Sequence, residues 1–196
     1  MEKEKREKTH LKLTELFVLL EKIPKSERPS IILNIDKTLL FCYKEEFYLS
    51  MGLYGKNRLL KEEPNRGNVL NFFGVIELLV NQIFVKNFVQ EGKDVMTKFE
   101  QLLDTIDLFT KVKLLHKWSI INSETKEMLI CLKGARNDFA HNWNIKNVKY
   151  KNKSIFENYH DFENDADIVF NTLTTIFNGG NIDIDKLIEE TKSKLA

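Results

Sequence analysis

The sequence predicts an all-α fold, an antiparallel helical bundle of about six to seven helices. Apolar residues recur at spacings of three and four along most of the 196 residues, which is the pattern of amphipathic helices. Glycine and proline are scarce, with eight and three residues, so few positions interrupt a helix. The length is sufficient for one compact core. We therefore expect a single all-α domain over residues 1–196.

The N-terminal part, residues 1–50, is predicted to form a helical pair. Over residues 5–22, Leu13, Leu16, Phe17 and Leu20 share one helical face, and Pro24 lies just beyond the end. The second helix is expected to begin at Ser30, whose side chain can cap it, and to continue through Phe47. The stretch that follows holds three glycines and a proline before residue 68, which predicts a long loop.

The remaining helices are predicted to form the core, at about residues 69–177, and a C-terminal helix at 183–195. Asp94 can cap one of the core helices and Ser123 opens another. About five residues join these two helices, so they should pack antiparallel. Gly179 and Gly180 end the last core helix. The predicted helices cover residues 5–22, 30–47, 68–90, 95–118, 123–143, 162–177 and 183–195.

Charge and cysteine content exclude several classes of protein. Lysine and arginine number 30 and aspartate and glutamate 29, so the chain cannot coat nucleic acid along its whole length. The two cysteines, Cys42 and Cys131, are too few for a disulfide scaffold and are expected to be buried and reduced. No run approaches the ~20 apolar residues of a membrane span. We expect a cytoplasmic protein that has no membrane partner, no cofactor and no metal site.

One local charge pattern is informative. Lys146, Lys149, Lys151 and Lys153 lie between Trp143 and Ser154, and this stretch contains no acid. Five acids then follow, with no lysine or arginine among them. This order predicts a basic patch and a separate acidic patch. The four lysines are candidate substrate-binding residues, because exposed lysines attract the phosphates of RNA. The alternative is an ordinary solvated loop.

The stretch that carries chemistry is Arg136-Asn-Asp-Phe-Ala-His141, at the end of the helix predicted over 123–143. The apolar stripe of that helix is expected to include Phe139 and Trp143, and Trp143 is expected to be a core or dimer-contact residue. Residues five apart on a helix are separated by about 140°, so Arg136 and His141 cannot share a face. Asn137 and His141 are four apart, so the Asn137 amide can orient the imidazole. The alternative is a surface arginine paired with an acid and a histidine favoured by the helix dipole.

The Arg136–His141 string resembles the HEPN superfamily, all-helical domains with an Arg-polar-x-x-x-His motif near the end of one helix. The fuller string is similar to the branch related to the mannitol operon repressor family. The resemblance implies a homodimer with a composite active site, in which two copies each supply Arg136 and His141. It also implies a toxin or phage-defence setting, with a cognate antitoxin or regulatory protein as partner.

RNA chemistry fits those residue types. Histidine exchanges protons near neutral pH, so His141 is expected to act in proton transfer during attack by the 2′-hydroxyl of single-stranded RNA. Arg136 is expected to bind the phosphate, and Asn137 to orient the histidine. Glu77 is a supporting candidate that either faces the motif or lies on an exposed edge.

The residue two positions after His141 bears on which antitoxin could be the partner. HEPN toxins paired with a nucleotidyltransferase antitoxin often carry a modified tyrosine two residues after the histidine. Trp143 holds that position here, although Tyr150 is nearby in sequence. The alternative function is a non-catalytic regulator, similar to the mannitol operon repressor, that binds protein or nucleic acid through the same surface. A plain helical interaction module is a third interpretation.

Overall fold

The structure, a computed structural model, describes residues 2–35, 38–43, 46–51, 64–89 and 93–195. The fold is predominantly helical and the described residues contain seven helices, which confirms the predicted fold class. The helices are α1 (Glu2–Lys22), α2 (Arg66–Phe88), α3 (Lys93–Asp104), α4 (Leu108–Lys117), α5 (Ser123–His141), α6 (Tyr159–Asn178) and α7 (Ile184–Leu195). The strands are β1 (Ile31–Ile35), β2 (Thr38–Tyr43), β3 (Glu46–Met51), β4 (Lys149–Tyr150) and β5 (Lys153–Ser154).

The chain divides into two compact units, where the sequence predicted a single domain. The first comprises Met1–Arg58 and Asn178–Ala196, and the second comprises Leu59–Phe177. The predicted core at 69–177 therefore falls in the second unit. Most of the predicted loop before residue 68 lies outside the described residues, which resume at residue 64.

The prediction of a second helix from Ser30 to Phe47 is wrong. The chain forms an antiparallel sheet there in the order β1-β2-β3, with Ile31 opposite Cys42 and Thr38 opposite Met51. This segment is rich in β-branched and aromatic residues, which fit a pleated surface better than a helix. A short apolar run does not distinguish a strand from a helix by periodicity alone. The N-terminal helical pair is thus one helix followed by a sheet.

Buried side chains of α1, the sheet and α7 form the core of the first unit. Leu13, Leu16 and Leu20, which the sequence placed on one face, are fully buried. Free cysteine Cys42 is buried among them, and burial raises the pKa of its thiol. The other members of this core are Ile23, Ile31, Leu33, Leu40 and Ile188.

The helix predicted over 95–118 is two helices in the structure. Residues 105–107 break it, because the Asp107 carboxylate accepts hydrogen bonds from the Phe109 and Thr110 N–H groups at 2.9 and 3.4 Å. Such local bonds between side chain and backbone compete with helix formation. The Asp107 pKa is lowered to about 2 by hydrogen bonds, first from the Thr110 hydroxyl and then from Lys133.

Helices α4 and α5 pack antiparallel, as the short connection predicts. Lys133, midway along α5, forms a 3.2 Å ion pair with Asp107 at the start of α4. At the other end, His116 Nε2 lies 3.0 Å from the Ser123 hydroxyl. Helices α2, α5 and α6 bury aromatic and aliphatic residues against one another, with Phe139 on α5 and Phe162 on α6 in ring contact at 6.3 Å.

One helix among the described residues, α2, is long and apolar enough to cross a membrane by length and composition. Half of its apolar window is buried inside the protein. A core helix passes the same test, so this is weak support for a membrane span.

Candidate functional site

The motif occupies the last two turns of α5, and the side chain of Asn122 caps the first turn by accepting from the Thr125 N–H at 2.8 Å. The predicted apolar stripe is buried from Leu129 to Phe139. Arg136 is half-buried and His141 is exposed. The packing of Phe139 therefore fixes the rotation of α5 and leaves the polar side of the motif toward the surface.

The structure pairs Asn137 with Arg136 rather than with His141. Arg136 Nη1 donates a hydrogen bond to Asn137 Oδ1 at 3.2 Å. The Arg136 Nε is buried and has no hydrogen-bond partner among the described residues. The buried Nε is out of a ligand's reach, but among the described residues the end of the guanidinium makes one hydrogen bond, so its other N–H groups remain as donors for a ligand such as a phosphate.

Arg66 is a residue near the motif that sequence reasoning missed. It is the first residue of α2, and its Nη2 donates to the carbonyl oxygen of Asn142, the residue directly after His141. The Asn142 N–H is also engaged, with the Asp138 carbonyl at 2.9 Å. A cation at this point stabilises the exposed carbonyl end of a helix. The sequence offered one signal that could have drawn attention to Arg66: arginine is scarce in this chain, with five residues against 25 lysines.

The four candidate lysines follow the motif in sequence, and three of them extend into solvent. Lys146 lies in a short 3-10 turn, and Lys149 and Lys153 lie on β4 and β5; all three are exposed. Lys151 differs, because its Nζ forms a 2.6 Å ion pair with Asp165 on α6. Its charge is therefore partly neutralised.

The turn that joins β4 and β5 is strained at Lys151. Lys151 and Asn152 have φ angles of 48° and 66°, the left-handed conformation of a tight hairpin turn. Asparagine tolerates this conformation, whereas a lysine in it costs roughly 1 kcal/mol. The ion pair with Asp165 helps to stabilise the turn, so this lysine has a structural role.

The predicted segregation of lysines and acids is only partial. Asp165 belongs to the acidic run, yet its side chain is buried and accepts hydrogen bonds from the Tyr150 hydroxyl and from Lys151. Burial, followed by the bond to Asp165, raises the pKa of Tyr150 far above its ordinary value. Tyr150 is 1% exposed, so an enzyme that modifies tyrosine cannot reach its hydroxyl.

Glu77 lies in a separate charge cluster. It is half-buried on α2, about 16 Å along the helix from Arg66 at 1.5 Å per residue. Its electrostatic neighbour is Lys111, whose Nζ donates to Asn81 Oδ1 at 2.8 Å and whose pKa is lowered by burial. Its predicted supporting role stays a prediction.

Trp143 does not belong to the core stripe. Helix α5 ends at His141, so the helical spacing that related Trp143 to Phe139 does not apply, and the indole is 91% exposed. The described residues contain no group of three His, Cys, Asp or Glu side chains that could hold a metal ion.

Comparisons with known proteins add no relative. No protein-family model matches the chain, and no curated protein or solved structure is significantly similar to it. The resemblance to the HEPN superfamily therefore stays a prediction, based on the motif residues.

Proposed function

We propose that this protein is a metal-independent endoribonuclease of the HEPN type that cleaves single-stranded RNA. The observation that carries the proposal is the end of α5. An exposed histidine, His141, and a half-buried arginine, Arg136, that makes one hydrogen bond among the described residues lie within two turns of each other and precede an acid-free loop. That loop presents the exposed lysines Lys146, Lys149 and Lys153. Exposed lysines attract RNA by displacing its counterions.

The reaction needs no cofactor, because RNA carries its own nucleophile. The 2′-oxygen attacks the adjacent phosphorus while a histidine removes the hydroxyl proton, and the bond from phosphorus to the 5′-oxygen breaks. A histidine then delivers a proton to the departing 5′-oxygen. Arg136 binds the non-bridging oxygens and stabilises the charge that develops on them. The products are a 2′,3′-cyclic phosphate and a 5′-hydroxyl.

A second copy of the chain completes this site. Arg136 and His141 diverge by about 140° around α5, so a homodimer brings the histidine of one copy toward the arginine of the other. Sedimentation of the purified protein should give twice the 23.1 kDa chain mass. A strictly monomeric protein removes the composite site. The proposed setting is cytoplasmic, as a toxin or phage-defence effector with a cognate antitoxin.

The test is cleavage of single-stranded RNA in EDTA by wild type, His141→Ala and Arg136→Ala. His116→Ala is the matched control, since His116 bonds Ser123 at the opposite end of α5, about 27 Å away at 1.5 Å per residue. We expect both motif variants to lose at least about 100-fold in rate, as loss of an acid–base group does, and the control to cleave normally. Equal cleavage by wild type and both motif variants refutes the proposal.

One observation favours the alternative of a non-catalytic regulator. The Asn137 oxygen that was expected to orient the imidazole accepts from Arg136 instead. A regulator of this kind binds nucleic acid or protein without turnover. RNA or DNA retention by wild type, weakened by Arg136→Ala, with intact nucleic acid after prolonged incubation, would support it.

A further inference from the structure

We propose that Trp143 is a stacking platform for an unpaired base of the bound strand. This inference rests on the proposed function and specifies its substrate: an RNA whose bases are free beside the cleaved phosphate. The first observation is exposure. The other tryptophan, Trp118, packs its ring against Phe84 and Phe88 at 5.6 and 4.6 Å, whereas Trp143 is 91% exposed and contacts no aromatic ring among the described residues.

The backbone on both sides of Trp143 is held in place. Before it, Asn142 bonds the Asp138 carbonyl through its N–H and accepts from Arg66 through its carbonyl. After it, the Asn144 side chain accepts from the Lys146 N–H at 3.0 Å and caps the next turn. The indole is therefore presented from an ordered main chain, and binding a base to a pre-ordered platform costs little conformational entropy.

The surroundings of Trp143 suit a nucleic acid better than a protein partner. Its immediate neighbours are Asn142 and Asn144, and the exposed cations of the loop follow. It is the one large apolar side chain that is exposed between His141 and Ile155, and the next one along the chain, Phe156, is about half as exposed. Proteins bind single strands with exposed aromatic rings combined with cations, and the loop offers both residue types close together in sequence.

The position of Trp143 also fits the chemistry. Trp143 is two positions after His141, so the two Cα atoms are at most about 7 Å apart. A base on the indole then belongs to a nucleotide next to the phosphate at the histidine. Paired bases are stacked within a duplex and cannot cover the indole, so the platform selects single-stranded RNA.

The experiment uses Trp143 as the sole tryptophan, in the Trp118→Phe variant. His141→Ala is added so that bound RNA stays intact. A single-stranded oligoribonucleotide should quench the Trp143 emission saturably, whereas an oligonucleotide with abasic sites and a duplex of the same sequence should not. In the cleavage-inert background, Trp143→Ala should raise the Kd about 5- to 100-fold, and Trp143→Phe should restore most of the affinity.

Trp143→Phe with Trp118 retained is the matched control, and its emission should not respond to RNA. If RNA does not change the Trp143 emission and Trp143→Ala does not change the Kd, the platform is overturned. The proposed ribonuclease function is not affected by that result. If the Trp143 emission shifts to the blue as the protein concentration rises in the absence of RNA, the platform is overturned. Trp143 then contacts a second copy of the chain. Absence of any RNA binding overturns the platform and the proposed function together.

Discussion

The guanidinium of Arg66 donates a hydrogen bond to the carbonyl of Asn142, so the start of α2 is tied to the end of α5. The carbonyl belongs to the residue directly after His141. A single contact from a distant part of the sequence thus fixes the chain at the point where the proposed proton-transfer group emerges.

Arg66→Gln should lower kcat for RNA cleavage about 10- to 100-fold with little change in KM. The reason is that a small displacement of a catalytic group is enough to slow the reaction. Urea denaturation should show a loss of about 1–3 kcal/mol in the free energy of unfolding, as for other hydrogen bonds from charged groups. Arg66→Lys should recover part of kcat.

Arg28→Gln is the matched control for Arg66. Arg28 also donates to main-chain carbonyls, those of Ile23 and Glu21 at 3.1 Å, but it belongs to the first unit. We expect it to lower stability without changing kcat. Equal kcat for Arg66→Gln and wild type would show that the contact does not position the histidine.

Lys149 and Lys153 should contribute to the salt dependence of RNA binding, and Lys151 should not. Each phosphate contact adds about 0.7 to the slope of log K against log salt for a single strand, so Lys149→Ala with Lys153→Ala should make it shallower by about 1.4. Removal of the ion pair by Lys151→Ala with Asp165→Asn should leave the slope unchanged, because that pair is already neutral. A slope change of similar size in both double variants contradicts this division.

Tyr150→Phe should destabilise the protein by about 1–3 kcal/mol, because it removes a donor from the buried Asp165 carboxylate. Cleavage by the folded variant should be unchanged, since the hydroxyl is inaccessible. Urea denaturation and an activity assay below the unfolding transition test both statements. A stable but inactive Tyr150→Phe variant would assign this tyrosine to the chemistry instead.

Stability should fall as pH rises through the range in which Glu163 ionises. Burial, and then the nearby Asp167, raises the Glu163 pKa from 4.5 to about 7. Below pH 4.5 the group is protonated in both states; between pH 4.5 and 7 the unfolded chain releases its proton first, so unfolding becomes easier. Glu163→Gln should match wild type at pH 4.5 and exceed it by on the order of 2 kcal/mol at pH 8.

Glu157→Gln, at an exposed position close in sequence, provides the control for Glu163. Its stability should follow the wild-type pH profile. Parallel profiles for Glu163→Gln and wild type would mean that Glu163 ionises in the folded protein as it does in the unfolded chain.

The sequence predicted what depends on local periodicity and missed what depends on partners distant along the chain. The helices around Leu13 and Phe139 were predictable because their apolar spacing matches a helical period. The sheet that begins at Ile31 was not, because its short apolar runs suit either a strand or a helix.

At the site, the same limit applies. Arg136 and His141 were proposed from their spacing, their neighbours in sequence and the resemblance to the HEPN motif, and their catalytic role stays a prediction. The anchoring of Asn142 by Arg66 and the neutralisation of Lys151 by Asp165 could not be predicted, since each pairs residues from separate elements.

The most direct test of the central claim uses the substrate's own nucleophile. The position that wild type cleaves in EDTA is mapped, and an otherwise identical RNA is made with a 2′-deoxynucleotide there. We predict a 2′,3′-cyclic phosphate end on the all-RNA strand, no cleavage at the deoxy position, and no cleavage of either strand by His141→Ala. Cleavage of the deoxy strand at the same position and rate would contradict attack by the 2′-hydroxyl and, with it, the proposed function.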